Sequence, residues 1–297
     1  KIRVEKNDLN PWEKELPVGN KRERPLAGLR RLMASRQVIT VTGPRRAGKS
    51  MLMRQMAKEL MAAGTPKENL LMVNFEDSRL VGLDVSLMER IFKTYLEFLH
   101  PCGELYLFLD EVQAVEGWER WVSTIHELGK ARVVVTGSNA TMLSRELGTL
   151  LTGRHLDFPV FPLSFREYLG FQGISIGDAL QLARRKTEVN GWMRRYLKEG
   201  AFPEVVLSGA KQELLLQYYE DVITKDLLRR YRIRKPHLLR TLAKFYLSNS
   251  ASPVTFNAVE KHLGISADTA EKFSGYLEEA YLVFFLRRFS PRVREQE

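Results

Sequence analysis

The sequence predicts an α/β domain, a parallel sheet with helices on both faces, followed by a helical region that ends in a winged helix-turn-helix. Three observations carry this. Short apolar runs alternate with amphipathic helical patterns through about residue 160, a glycine-rich segment GPRRAGKS joins the first run to the first of those patterns, and β-type runs then give way to helical ones. Strands apolar on both faces and separated by helices belong to parallel sheets, whose faces are both covered.

In chain order the apolar runs are QVITVT, LLMVNF, LYLFL and RVVVTG. Between them lie MLMRQMAKELMAAG, a helix around LMERIFKTYLEFL and another around WERWVSTIHEL. Met51, Met53 and Met56 in the first helix, and Trp118 and Trp121 in the third, recur at helical spacing and are read as core or near-core positions. Beyond FPVFPLSFREYLG the patterns are helical, in GDALQLARRKTEVNGWMRRYLKEG, QELLLQYYEDVITKDLLRRY and PHLLRTLAKFYLSN, and that shift marks a domain boundary. The last segment reads as a short helix from Phe256 to Leu263, a turn at Gly264, a second helix capped by Ser266 and a β run YLVFFLRRF, the order of a winged helix-turn-helix.

Composition excludes several classes. With 44% hydrophobic and 28% charged residues, the 297-residue chain is globular rather than disordered or fibrous. Cys102 is the single cysteine, so no intrachain disulfide forms, and the five histidines lack metal-ligand spacing. No apolar run approaches the roughly eighteen residues that cross a bilayer, and the charged opening lacks the apolar stretch of a signal peptide. A cytoplasmic, zinc-free protein without membrane insertion is expected. The net charge of +10 suits a polyanionic partner or, equally, a solvated surface.

GPRRAGKS, Gly43 to Ser50, matches G-x-x-x-x-G-K-[ST] in full, a pattern expected by chance in about one chain in a hundred of this length. It follows a strand and opens a helix, as a phosphate-cradling loop must. The glycines let backbone N–H groups turn inward, the helix N-terminus adds partial positive charge, and Lys49 reaches the β and γ oxygens of ATP, or the β oxygens alone of ADP. Ser50 supplies a hydroxyl to Mg²⁺. Pro44, Arg45, Arg46 and Ala47 fill the loop between Gly43 and Gly48, the two arginines facing solvent, and Met51 completes the nucleotide-binding set at the start of the helix.

About sixty residues on, the strand LYLFLDE ends in adjacent carboxylates, the Walker B arrangement. Asp110 is expected in the Mg²⁺ shell, while Glu111 orients and deprotonates an attacking water. A hydrolytic base argues against a kinase, which must keep water out. The next strand, RVVVTGSN, ends with Ser138 and Asn139, placed either to hydrogen-bond the γ-phosphate or water or to cap a helix.

GPRRAGKS, LYLFLDEVQ with Trp118 and Trp121 following, VVVTGSN, LTGR at 151–154, FPLSFREYL and EGAFPEV together resemble the archaeal and bacterial ATPases of the AAA+ superfamily, P-loop NTPases related to the STAND class, over nearly the whole chain. The resemblance implies a sheet of order 5-1-4-3-2, a helical lid and a C-terminal winged helix. The chain then divides into a P-loop ATPase domain at 1–165, a lid at 166–210 and a winged-helix domain at 211–297. It also implies that Ser138 and Asn139 are a γ-phosphate sensor, that Arg154 reads the γ-phosphate in cis or from a neighbouring subunit, and that Gly200 and Pro203, flanking Ala201 and Phe202, bring the lid near the adenine. Plainer readings stand beside these: Arg154 as a surface ion-pair partner, and Gly200 with Pro203 as a helix end. Glu76 and Asp77 either stand behind the Mg²⁺ shell or solvate a loop. Many family members continue into a restriction-endonuclease-like region; this sequence ends at FSPRVREQE, so no nuclease chemistry is assigned, and its first residue, Lys1, suggests a trimmed start.

For duplex DNA speaks the cluster KDLLRRYRIRK, with Lys225, Arg229, Arg230, Arg232, Arg234 and Lys235 against one acid and Tyr231 interleaved. Its plainer role is a helix whose arginines cover a neighbouring surface. Against DNA, SADTAEKFSGYLEEA carries Asp268, Glu271, Glu278 and Glu279 with only Lys272, and such a helix meets repulsion in the major groove. Ala270, Phe273 and Leu277 there have core spacing, so packing or partner contact is favoured, with any DNA held nonspecifically by the basic cluster and wing residues such as Arg287 and Arg288. The expected protein is an ATP hydrolase whose nucleotide state sets the lid and winged helix. The alternative is a nucleotide-switched DNA-binding regulator with little turnover. An arginine acting in trans requires a homo-oligomer; the sequence names no protein client.

Overall fold

The computed structural model describes residues 10–12, 15–137, 153–175 and 184–286. It divides into two compact units, residues 1–211 and 212–297.

In the first unit, α1 (Glu23–Met33) precedes β1 (Val38–Thr42), α2 (Lys49–Ala62), β2 (Leu70–Asn74), α3 (Val85–Leu99), β3 (Tyr106–Asp110), α4 (Trp118–Glu127), β4 (Arg132–Thr136) and β5 (His155–Pro159). All five strands are parallel in the order β2-β3-β4-β1-β5, as the resemblance implied. Each face has its own core. Phe92, Trp118, Trp121 and Ile125 of α3 and α4 cover one face of the sheet, and Leu26, Leu29, Leu52, Met53 and Met56 of α1 and α2 cover the other. Burying both faces removes the alternation of a half-exposed strand, which is why β1 is apolar or Thr throughout.

Two features were not read from the local pattern. Helix α1 buries Leu26, Leu29 and Met33, whose spacing within an arginine-rich stretch is its only signal. Residues 10–12 complete the exposed edge of β2: the Asn10 side-chain amide donates to Met72 O at 2.9 Å and accepts from Met72 N–H at 2.7 Å, and Trp12 Nε1 donates to Leu70 O at 2.8 Å. Side chains thus satisfy edge groups that a further strand would otherwise pair.

Helices α5 (Phe165–Phe171), α6 (Lys186–Glu199) and α7 (Pro203–Leu207) follow the sheet. A capping box starts α5, with Ser164 accepting from the Glu167 N–H while Glu167 accepts from the Ser164 N–H. Tyr168 meets Trp192 and Tyr196 of α6 edge-on, at centroid distances of 6.3 and 5.4 Å, in a small core with Leu163, Leu169 and Val206.

In the second unit α8 (Lys211–Asp221) runs into a π-helical segment (Val222–Arg229), followed by α9 (Pro236–Ser248), α10 (Phe256–Leu263) and α11 (Ala267–Glu279). Gly264 ends α10 in the left-handed region, at φ 65°. Ser266 occupies the N-cap of α11, but its hydroxyl bonds Thr269 Oγ1 at 2.8 Å rather than a backbone N–H. Ala270, Phe273 and Leu277 are buried, in keeping with their spacing. The expected β run is different: residues 281–286 form no strand, and 287–289 lie outside the described residues. No described strand offers this segment a ladder, so it is held by Phe285, whose ring meets Tyr246 edge-on at 5.2 Å and whose N–H donates to Glu278 Oε1 at 3.2 Å. Phe284 and Leu286 remain exposed.

Candidate nucleotide site

Because the strands are parallel, their carboxyl ends share one edge of the sheet. Val41 pairs with Thr136 and Leu109 with Val135, so Thr42, Thr136 and Asp110 end at nearly one level. The P-loop leaves β1 there. Gly43 sits at φ 135°, and a Cβ on it would lie 2.0 Å from Val160 O, so only glycine fits. Gly48, at φ 97°, is the N-cap of α2, whose first N–H groups lack intrahelical partners. Pro44 and Ala47 are buried, and Ser50 and Met51 lie half-buried in the first turn of α2. Lys49 is buried, and its Nζ donates to Gly43 O at 3.0 Å and Pro44 O at 3.1 Å, so the ammonium lies over the loop that is to hold phosphate.

The two loop arginines differ from each other. Arg46 is exposed and pairs with Glu204 at 3.4 Å. Arg45, expected in solvent, is only 20% exposed and pairs with Glu76 at 3.0 Å, because the carboxylate after β2 stands beside the loop. Asp77 is held by Arg79, whose hydrogen bonds lower its carboxyl to about 2. Glu76 and Asp77 therefore each face an arginine, which favours their loop reading.

At the end of β3, Asp110 is buried and accepts from the Thr136 hydroxyl, whose oxygen in turn accepts the Glu111 N–H at 3.0 Å. Thr136 thereby fixes both acids from the neighbouring strand. Glu111 adopts φ 52°, a left-handed conformation that costs a non-glycine residue about 1–3 kcal/mol and that turns its side chain away from the strand's alternation. Gln113 Nε2 donates to Glu111 Oε2 at 2.5 Å, while Gln113 Oε1 is buried without a hydrogen-bond partner. Burial pushes the Glu111 carboxyl above its ordinary range; Lys49 opposes this and the Asp110 charge adds to it.

Gly200 ends α6, its N–H donating to Tyr196 O at 3.1 Å, which is its plainer reading. Pro203 opens α7 and also lies against the P-loop, with its Cγ 3.7 Å from the position of a Cβ on Gly48. Arg154 is elsewhere. It precedes β5, its carbonyl accepts from Val38 N–H at 3.2 Å, and its exposed guanidinium pairs with Glu127 at 3.0 Å. This is the amino edge of the sheet, opposite the P-loop, so the reading in cis is corrected: β1 alone separates Arg154 from the loop by roughly 13 Å at about 3.3 Å per residue. Ser138 and Asn139 lie outside the described residues.

Three residues here were missed by motif. Thr136 stands within the quoted run VVVTG, where the level of the strand ends would have found it, and Gln113 ends the quoted run LYLFLDEVQ without being singled out; Arg22 carries no local signal. Arg22, at the N-cap of α1, is buried and reaches both the P-loop and Glu167.

Comparison with known proteins agrees with this geometry. Residues 35–169 match the AAA domain family, and residues 190–297 match a domain of unknown function. An uncharacterized protein of Methanocaldococcus jannaschii is 26% identical over 87% of this chain and 58% of its own length, and one of Haemophilus influenzae is 28% identical over 86% and 63%. The chain thus spans about three fifths of these curated relatives. A Walker-type ATPase of Pyrococcus abyssi shares the fold with a TM-score of 0.53 at 15% identity, covering 88% of this chain and 89% of that one. Residues 35–169 thus match the AAA domain family, in keeping with the archaeal AAA+ P-loop ATPases that the motifs of the chain resemble.

Proposed function

We propose that the protein binds Mg-ATP at the carboxyl edge of the sheet and hydrolyses it, the nucleotide state acting on the lid at 166–210 and the C-terminal helix-turn-helix domain at 211–297. The observation that carries this is the Asp110–Thr136–Glu111 arrangement on the same edge as the P-loop. Lys49 exchanges its two loop carbonyls for β and γ oxygens. Ser50 and Asp110 are hard oxygen donors of the kind that suits Mg²⁺, which takes few protein ligands and completes its shell with water and phosphate. When bound, the cation neutralises charge on the phosphates. Glu111 holds the attacking water and takes its proton, and its raised carboxyl makes it a stronger base than an exposed glutamate. Pro203 brings the start of α7 to the adenine side, with Gly200 setting the turn before it. Ser138 and Asn139 act on the γ-phosphate, and Arg154 acts from a neighbouring subunit.

The test is nucleotide affinity. Lys49→Ala removes a charge-assisted contact, so ATP binding falls by about 10 to 10²-fold in titration calorimetry. Parental affinity in that variant would sink the assignment of the phosphate site.

A second reading adds duplex DNA as a partner. Lys225 pairs with Asp221 at 3.0 Å, but Arg229, Arg230, Arg232, Arg234 and Lys235 enter no ion pair among the described residues. Tyr231 stacks on Tyr276 at 3.7 Å instead of standing open for a base, which suits phosphate rather than base contact. Binding to duplex DNA should weaken with a log–log salt slope of about −4, and each arginine-to-alanine change should reduce that slope by about 1 at every sequence alike. Binding that ignores salt, or that survives loss of all five charges, excludes this partner.

A further inference from the structure

The Arg22 guanidinium makes four hydrogen bonds, to three separate parts of the first unit. Nη1 donates to Ala47 O of the P-loop at 2.8 Å, and Nη2 donates to Phe161 O, beyond β5, at 3.1 Å. Nε and Nη2 also donate to the two carboxylate oxygens of Glu167 at 2.8 and 3.2 Å. Glu167 Oε2 in turn accepts from the Ser164 N–H and hydroxyl at 2.9 and 2.8 Å, so the anchor of the guanidinium is also the cap of α5. The Arg22 backbone is held too: its N–H donates to Gln55 Oε1 of α2 at 3.2 Å, and the Gln55 amide donates back to Val18 O and Asn20 O at 2.8 and 2.9 Å.

The consequence for the loop follows from peptide geometry. A trans peptide is planar, with its carbonyl and N–H antiparallel. Fixing the Ala47 carbonyl on Arg22 therefore aims the Gly48 N–H in the opposite direction. The planar guanidinium permits only one joint arrangement of its acceptors, whereas a lysine ammonium would tolerate many. Pro203 and Arg22 Nη1 each lie 3.7 Å from the Cβ position of Gly48, so the start of α7 meets the same peptide. Leu163 N–H donates to Ala201 O at 2.7 Å, which joins the segment before α5 to the segment before α7.

We propose that Arg22 is a positioning residue of the nucleotide site: it orients the Ala47–Gly48 peptide for phosphate and, through Glu167, ties α5 to the P-loop so that occupancy of the loop is felt by the lid. This rests on the ATP-site reading above. Hydrogen bonds from Arg22 and Ser164 hold the Glu167 carboxyl below its ordinary range although burial opposes them, so the clamp is charged whenever the site is in use.

The test uses the whole chain and two variants. Arg22→Lys keeps the charge and loses the fork; ATP and ADP affinity should each weaken about tenfold, and ATP should slow amide exchange in 165–171 of the parent but not of this variant. A buried charge left alone is strongly destabilising, whereas losing both partners is nearly neutral. The double variant Arg22→Met, Glu167→Gln should therefore regain the melting midpoint that Arg22→Met loses, yet keep the weakened ADP affinity. A purely structural role predicts that affinity returns with the midpoint, and that result, or parental affinity in Arg22→Lys, overturns the proposal. Lys49→Ala is measured alongside: if it binds ATP like the parent, the site reading has failed rather than the role of Arg22.

Discussion

Glu111→Gln is expected to abolish most phosphate release while leaving ATP bound. The substitution keeps the size of the side chain and a hydrogen-bonding amide beside Gln113, so the left-handed turn after β3 and the Thr136 contacts persist. What is lost is the group that takes the proton of water, usually worth about 10² to 10⁴ in rate. In single-turnover measurements the variant should hold ATP with near-parental affinity and release phosphate slower by that factor. The parent's pH profile gives a second check. Burial raises the Glu111 carboxyl, with Lys49 opposing and Asp110 assisting, so less acid suffices to protonate it: the basic form is lost as pH falls through a value above the ordinary glutamate range. The acid limb of kcat/KM should lie correspondingly high. An unchanged rate in Glu111→Gln would remove hydrolysis by this residue from the reading and favour a nucleotide switch.

The contrast between what the sequence disclosed and what it hid follows from the range of the interactions. β1 to β4 and α2 to α4 were legible because each carries its own periodicity, and the P-loop because its glycines answer a local need: Gly43 has Val160 O where a Cβ would stand. The sheet order came from the resemblance, but the side-chain contacts between elements were not legible. Thr136 matters only because register brings it level with Asp110, and Arg22 only because α5 presents Glu167 across 145 residues of chain. The β run at 281–286 failed for the complementary reason: an apolar, β-branched and aromatic stretch makes a strand only where a partner supplies the ladder. Arg154 was recognised by motif, but its side of the sheet is a property of topology, and motif alone left both a cis and a trans role open.

Topology also sets the second large effect. Arg154 stands at the amino edge, where β5 begins beside Val38, while ATP is proposed to bind at the carboxyl edge. Its only described ion pair, with Glu127, joins side chains 55% and 53% exposed, a surface pairing that stabilises little and is readily exchanged for a phosphate. An arginine presented on the far edge of one subunit completes the site of the next when subunits repeat head to tail, a heterologous contact that closes into a ring or extends as a filament. Arg154→Ala should then lower turnover by about 10³ to 10⁵ without loss of ATP affinity, the range found when an arginine finger is supplied in trans. Parental turnover per subunit should rise with protein concentration. Mixing decides between a trans role and local damage: Arg154→Ala subunits retain Glu111, and Glu111→Gln subunits retain Arg154, so a mixed assembly contains junctions with both groups intact. Activity recovered on mixing two nearly inactive proteins requires that Arg154 act across the junction; inactivity of the mixture, with co-assembly demonstrated, would confine Arg154 to its surface pair with Glu127.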